Sequence, residues 1–521
     1  MGTEQSFRLY LRRWFILGLF ALYALWTQVS WIVFSPISLI VTEYYGADIF
    51  WVNALSATWM VTFVLFALPA NSLVERIGMR GGLLASGILL VLGTGIRWWG
   101  SLIKSFWLIF GGHAVTSLAQ LFTLGVPPLL SLRWFGEKER VLSTTIGSQA
   151  GGVGISVGFA LAGSMVARGD DLPGYLLILF ASSAGVALVT VLCFRSSPPS
   201  PPSRAAAQES EQRRQRHGPD GSQSIQAETT DRMALINNDA AAPGSGAPPG
   251  AYAPAPPSFL KGLSTIWYTV TCVPFLVHIL SSGTLVGAFW TLGTVLAQVI
   301  APMGLSSLAS GWLGSAMTIA GMVSALLIGP IVDRHKRFKL FQMLLGLFFL
   351  LLLVGFTVYT IPPWMWGGAA PVPQPVPWGT PLLWILTVGM GAFMAAALPI
   401  ALEYSAELIF PLLPENSSGT VMMTSANLCS LVLLVAMDLL ITGEGSGQHC
   451  LWSMVFLCVV VALVLVAVAL VPARYHRIRF ERFHEDLLRQ DPGAAPGGSE
   501  EARHALPPAE GPTGALTAPL G

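Results

Sequence analysis

The chain has 521 residues, 53% of them hydrophobic and 11% charged, with a mean hydropathy of +0.64 and a net charge of +1. It is too apolar for an ordinary soluble domain and carries no basic excess of the kind that binds nucleic acid, so membrane spans are sought first. Its five cysteines have neither a disulfide framework nor a metal-ligand spacing: Cys193, Cys272, Cys429 and Cys458 lie in apolar runs and Cys450 in an outer loop.

Residues 1–13 read as a cytosolic N-terminus. The apolar run at 14–41 follows Arg8, Arg12 and Arg13, is too long for a signal-peptide core and lacks a small-residue cleavage site, so it reads as an uncleaved span. Further runs able to cross about 30 Å of hydrocarbon lie at 51–73, 81–99, 106–132, 142–166 and 173–194. They make 14–195 one six-helix unit. The Pro-, Gly- and Ala-rich stretch 196–260, opening with "SSPPSPPSRAAAQES", reads as a disordered cytosolic linker. A second six-helix unit, 261–472, contains runs at 265–299, 308–332, 340–361, 381–409, 417–441 and 451–472. A tail at 473–521 begins with the basic patch "ARYHRIRFERF" and then becomes low in complexity. The expected fold is an all-α membrane protein with twelve transmembrane helices in two six-helix bundles. Charge supports that topology, since all Lys and Arg except Arg97, Lys104 and Arg168 then fall on the cytosolic side.

The halves share a charged motif. "NSLVERIGMRGG" follows the second span and "GPIVDRHKRFK" the eighth, so Glu75-Arg76 matches Asp333-Arg334, with Arg80 or Lys336 and Arg337 behind. This resembles the signature of the major facilitator superfamily. The resemblance implies two bundles related by an axis along the membrane normal, a substrate site near the midplane, and rocking that exposes it to each side in turn. Carboxylates and guanidiniums at span ends can form releasable latches, which makes Glu75, Arg76, Arg80, Asp333, Arg334 and Arg337 candidate gating residues. In "ALEYSAELIFP", Glu403 and Glu407 stand four apart near the inner boundary, where like charges repel unless cations neutralise them. Glu407, with Glu403 as the second, is expected to pair with Arg334 in the cytosolic gate.

Enzyme signatures are not found: no HExxH, phosphate loop or CxxC occurs, so no catalytic residue, metal or cofactor is expected. Polar residues at mid-depth are more telling, because each is costly unless it faces protein or water. Gln120 and Asn427 lie about 21 and about 15 Å into their spans. His113 and His278 read as hydrogen-bonded packing residues ahead of metal or proton sites, and Asp438 as solvated near an outer end. The glycines between Gly147 and Gly163 read as close packing or as a sliding face. Among 17 tryptophans, Trp31 and Trp290 occupy nearly equivalent places in the two halves. Facing indoles can clamp an organic cation or sandwich a flat ring, and interhelical packing is an equal alternative.

Four stretches carry a closer likeness: "RRWFILGLFALYALWTQVSW", "GGHAVTSLAQLFTLGVPPLLSLRWFGEKER", "GAFWTLGTVLAQV" and "LPIALEYSAELIFPLLPENSSG". They resemble the feline leukemia virus subgroup C receptor-related (FLVCR) family over roughly residues 8 to 480, while "LGTGIRWW" and "SANL" are closer to its lysosomal pyridoxine branch. The resemblance implies a solute transporter for choline or ethanolamine, with heme and pyridoxine as alternatives. It places Trp31, Gln120 and Met60 in the substrate cavity, with Trp290 where the family has a tyrosine and Asn427 where it has a glutamine. The expected partners are a small-molecule substrate and the lipid bilayer, in a monomer. The plasma membrane is expected ahead of a lysosomal or other organelle membrane, and a non-transporting receptor or scaffold is the alternative of another class.

Overall fold

The structure, a computed structural model, describes residues 9–123, 126–136, 139–202, 269, 271–360, 379–409, 415–441 and 448–470, and among them no strand is present. Most of the expected linker and all of the expected tail lie outside the described residues.

In the first half, α1 (Arg12–Ile32) runs until Pro36, which has no N–H to continue the ladder; a 3-10 turn, Ser35–Ile37, bridges to α2 (Ser38–Tyr45). Gly46, at φ 62, ends α2 in the left-handed conformation that glycine adopts at least cost. Asp48 then caps α3 (Ile49–Leu102) by accepting from the Phe50 N–H at 2.8 Å. An unbroken helix of this length would run about 80 Å, more than twice a bilayer core. It breaks at Gly78 (φ 76, ψ 167), giving two membrane-length arms, Ile49–Ala70 and Arg76–Leu102.

The span expected at 106–132 is interrupted. Helix α4 (Phe106–Ser117) tightens into a 3-10 turn, Leu118–Phe122, and the chain resumes as α5 (Val126–Trp134). Pro127 and Pro128 are the physical reason: they are tolerated in the opening turn of α5 but would remove two bonds from a continuous helix. Helices α6 (Arg140–Met165) and α7 (Leu172–Cys193) complete this half.

The second half contains α8 (Val273–Ile300), α9 (Ser307–His335), α10 (Phe338–Thr360), α11 (Gly379–Met394), α12 (Ala397–Ile409), α13 (Glu415–Ile441) and α14 (Gln448–Leu470). Among the described residues, eleven segments are long and apolar enough to cross a membrane, and Phe106–Phe122 is a shorter apolar twelfth. The chain is an all-α membrane protein.

Glycine governs how α6 packs. A Cβ on Gly154 would lie 2.1 Å from the Leu25 carbonyl oxygen, so α6 meets α1 backbone to backbone. Nearer the outer face, Gly163 and Gly311 of α9 approach so closely that a Cβ on either would lie 2.9 Å from the other's Cα. The two halves touch there.

A set of side-chain hydrogen bonds joins the halves toward that outer face. Ser156 and Ser315 hydroxyls are 2.8 Å apart, Ser310 donates to the Pro36 carbonyl at 2.9 Å, and Ser307 donates to the Val166 carbonyl at 3.2 Å. The most polar link centres on Asn53 of α3. Its amide donates to the Asp438 carboxylate at 2.6 Å and to the Gln298 Oε1 at 3.2 Å, and Gln298 donates back to the Asn53 Oδ1 at 2.6 Å. Asp438 is thus 2% exposed, contrary to the solvated position expected from its depth. Arg97 needs the same correction. Read from sequence as an outer-face charge, it is fully enclosed within the first half, because its helix carries it about five residues below the outer end, among α1, α4 and α7.

Candidate functional site

Three indoles meet where the halves face each other. Trp31, near the end of α1, has its ring centroid 6.3 Å from Trp59 of α3, tilted by 34°, and 6.3 Å from Trp290 of α8 at 85°. Trp31, Trp59 and Met60 are buried in the same apolar cluster as the core of the second half, and Trp290 packs against it. The first half therefore lends its aromatic residues to the other half's core. The Trp31 indole N–H is buried without an acceptor.

Trp59 was not singled out by sequence, since it lacks the counterpart that marks Trp31 and Trp290. Its indole N–H donates to His113 Nε2 at 2.9 Å, and its carbonyl accepts from the Gln120 amide at 2.8 Å. The 3-10 turn that interrupts the fourth span presents Gln120 in this way, with Oε1 left without a protein partner. Asn427 of α13 turns its amide nitrogen onto the Met423 carbonyl at 2.8 Å, which spends its donor on its own helix and leaves its oxygen free. One turn nearer the inner face, Met423 packs against a cluster of Phe63, Ala67, Leu121 and Phe122, an apolar floor crossing between the halves.

Of the five expected cavity residues, the contacts join Trp31, Trp290 and Met60 directly and Gln120 through Trp59. Asn427 connects to the same region through the floor. His113 and His278 are both buried and hydrogen-bonded, His278 to the Ala401 carbonyl at 3.1 Å and to the Ser282 hydroxyl at 3.1 Å. Among the described residues no group of three or more His, Cys, Asp or Glu could hold a metal ion.

The expected gating residues are more scattered. Arg76, Arg334 and Arg337 are exposed at helix ends, and Arg80, also exposed, donates to the Val191 carbonyl of α7 at 3.2 Å. The side chains of Glu75 and Asp333 lie outside the described residues. Glu403 is exposed, while Glu407 is 0% exposed on the packed face of α12. The ion pair expected between Glu407 and Arg334 does not form: one side chain points into the bundle and the other into solvent, and Glu407 engages other groups.

The ion pair present among the described residues belongs to the first half. Arg13 of α1 donates through Nε and Nη2 to the two Glu139 oxygens, each at 3.0 Å, with its guanidinium over the Trp14 and Phe135 rings. This fork fixes the inner end of α1 to the start of α6. Nothing in the spacing of Arg13 and the "GEKER" loop, 126 residues apart, announces this pair.

Comparison with known proteins agrees with this architecture. The Major Facilitator Superfamily profile matches residues 15–374. An "Uncharacterized MFS-type transporter C09D4.1" of Caenorhabditis elegans is 26% identical over 445 residues, covering 84% of this chain and 66% of that longer one. The "Choline/ethanolamine transporter flvcr2a" of Danio rerio is 27% identical over 511 residues, 96% of this chain and 93% of its own. The crystal structure of a D-xylose-proton symporter superposes with a TM-score of 0.58 at 13% identity, covering 88% of this chain and 98% of that one, a likeness of fold. An all-helical membrane fold, two halves meeting around a central aromatic cluster, and a profile match over most of the length make this chain a multi-pass membrane transporter that belongs to the Major Facilitator Superfamily.

Proposed function

We propose that the chain carries a small organic cation of the choline and ethanolamine class by alternating access, and that Trp31, Trp59 and Trp290 form the walls of its site. The observation that carries this reading is the indole pair shared between halves, Trp31 against Trp290 at 85° and 6.3 Å. Near-perpendicular ring faces at this separation are within reach of one ammonium group, which is attracted to a ring from up to ~6 Å of its centroid. The open oxygens of Gln120 and Asn427 suit the hydroxyl or ammonium hydrogens of such a ligand. Met60 fills the apolar remainder. Indoles this close favour a ligand of a few atoms over a heme, and the relatives named for choline and ethanolamine transport support the same class.

The exposed arginines at the inner helix ends, with their acidic partners in the motif, act as gating groups, and the protein works as a monomer in the plasma membrane. Purified protein in liposomes, tested with choline, ethanolamine, pyridoxine and heme, names the substrate. Choline or ethanolamine uptake abolished by Trp31→Ala, at normal expression, is the expected result; uptake that survives the substitution removes the indole clamp.

A further inference from the structure

Arg97 lies about 7 Å below the outer end of α3 and is 0% exposed. Its Nη1 donates to the Ser30 carbonyl at 3.0 Å and stands 3.0 Å from His113 Nδ1. The other imidazole nitrogen, Nε2, faces the Trp59 N–H at 2.9 Å. Guanidinium and indole nitrogens can only donate, whereas a neutral imidazole accepts through one nitrogen and donates through the other. One of the two contacts therefore sets donor against donor.

The unpartnered polar groups extend further, two of them guanidinium nitrogens that can only donate and two of them hydroxyls. Arg97 Nε and Nη2, the Tyr175 hydroxyl and the Ser30 hydroxyl are all buried without a partner, and Tyr175 of α7 is close enough to interact electrostatically with the guanidinium. Among the described residues no carboxylate forms an ion pair with Arg97, and the outer connections of this half are all described. A buried guanidinium without a counter-charge is costly. What the cluster lacks is a negatively charged acceptor.

We propose that Arg97, Tyr175 and His113 bind a small inorganic anion of the charge and size of chloride. Bound there, the anion accepts from Arg97 Nε and Nη2 and from the Tyr175 hydroxyl, and draws the guanidinium off His113. The imidazole then donates through Nδ1 to the anion and accepts the Trp59 N–H through Nε2, which ends the conflict. The anion thus fixes the orientation of Trp59. Because Trp59 packs on Trp31, anion binding also sets substrate affinity, a consequence that rests on the function proposed above.

Thermal unfolding of the purified full chain, in sodium chloride against sodium gluconate at equal ionic strength, reads the anion site without any transport. A saturable rise in Tm with chloride, reproduced by bromide, is expected. Tyr175→Phe weakens the apparent affinity about tenfold, and Arg97→Gln removes the response. Should Arg97→Gln fail to fold, His113→Glu carries the test: its tethered carboxylate can accept from both Arg97 and Trp59, so its Tm is high and indifferent to chloride. A wild-type Tm that ignores chloride, or an equal response in wild type, Tyr175→Phe and His113→Glu, overturns the site. In liposomes, replacing chloride by gluconate raises the KM for the transported cation several-fold in wild type and leaves it unchanged in His113→Glu. A chloride-dependent Tm with a constant KM overturns the link to Trp59, while failure to find a transported cation leaves the Tm result standing on its own.

Discussion

Asn53 is the residue whose loss should most change the balance between the two faces of this transporter. Replacing it by alanine removes three contacts across the outer interface, the two with Gln298 and the one with Asp438. When the outer face opens, water takes over the freed groups, so each bond contributes only its net value, ~0.5–1.5 kcal/mol. Three such bonds amount to roughly 1.5–4.5 kcal/mol, enough to shift the ratio of outer-closed to outer-open molecules by about 10-fold to 2,000-fold. Spin labels at the exposed positions Ile103 and Leu308, in opposite halves at the outer face and in a cysteine-free background, report the opening as a distance distribution. The wild type is expected to show a short distance and Asn53→Ala an added longer one. An unchanged distribution would refute the reasoning and place closure in the α6 and α9 contacts at Ser156–Ser315 and Gly163–Gly311 instead.

Arg13→Ala breaks a two-pronged, largely shielded ion pair with Glu139 and should lower stability by roughly 1–3 kcal/mol, seen as a reduced unfolding temperature with binding unchanged. Gly154→Leu forces a side chain into the Leu25 carbonyl and should give little folded protein in size-exclusion profiles, whereas the open site Gly185 should tolerate the same change. Gln120→Leu removes the hydrogen bond to the Trp59 carbonyl and an open acceptor, and should raise the uptake KM by about tenfold, ~1.4 kcal/mol, with expression intact.

Spans and superfamily were legible because bilayer thickness imposes a length on apolar runs and because the charged motif repeats. The interruption of the fourth span was legible in principle from the Pro pair after Gly125, which hydropathy alone smooths over. The outer latch was not. Asn53 reaches Gln298 and Asp438 across 245 and 385 residues, and depth along a helix says nothing of which way a side chain faces. The same limit misplaced Arg97, counted by its nearness to an outer loop, and paired Glu407 with Arg334, which share a level but not a direction. In the candidate site, internal symmetry could pick out Trp31 and Trp290. Trp59 has no symmetric counterpart and is found only through the contacts of its ring.

The direct meeting of Trp31 and Trp290 has a bearing on the return stroke. A carrier that catalyses net flow must reorient while empty, and it does so readily only when its halves can hold together without cargo. Here one indole rests on the other, so the protein supplies from within itself the cross-domain surface that a ligand would otherwise provide. A return stroke that keeps this indole contact needs no cargo to join the halves. Substrate on the far side should accordingly do little to hasten uptake, the kinetic mark of a facilitator and not of an obligatory exchanger.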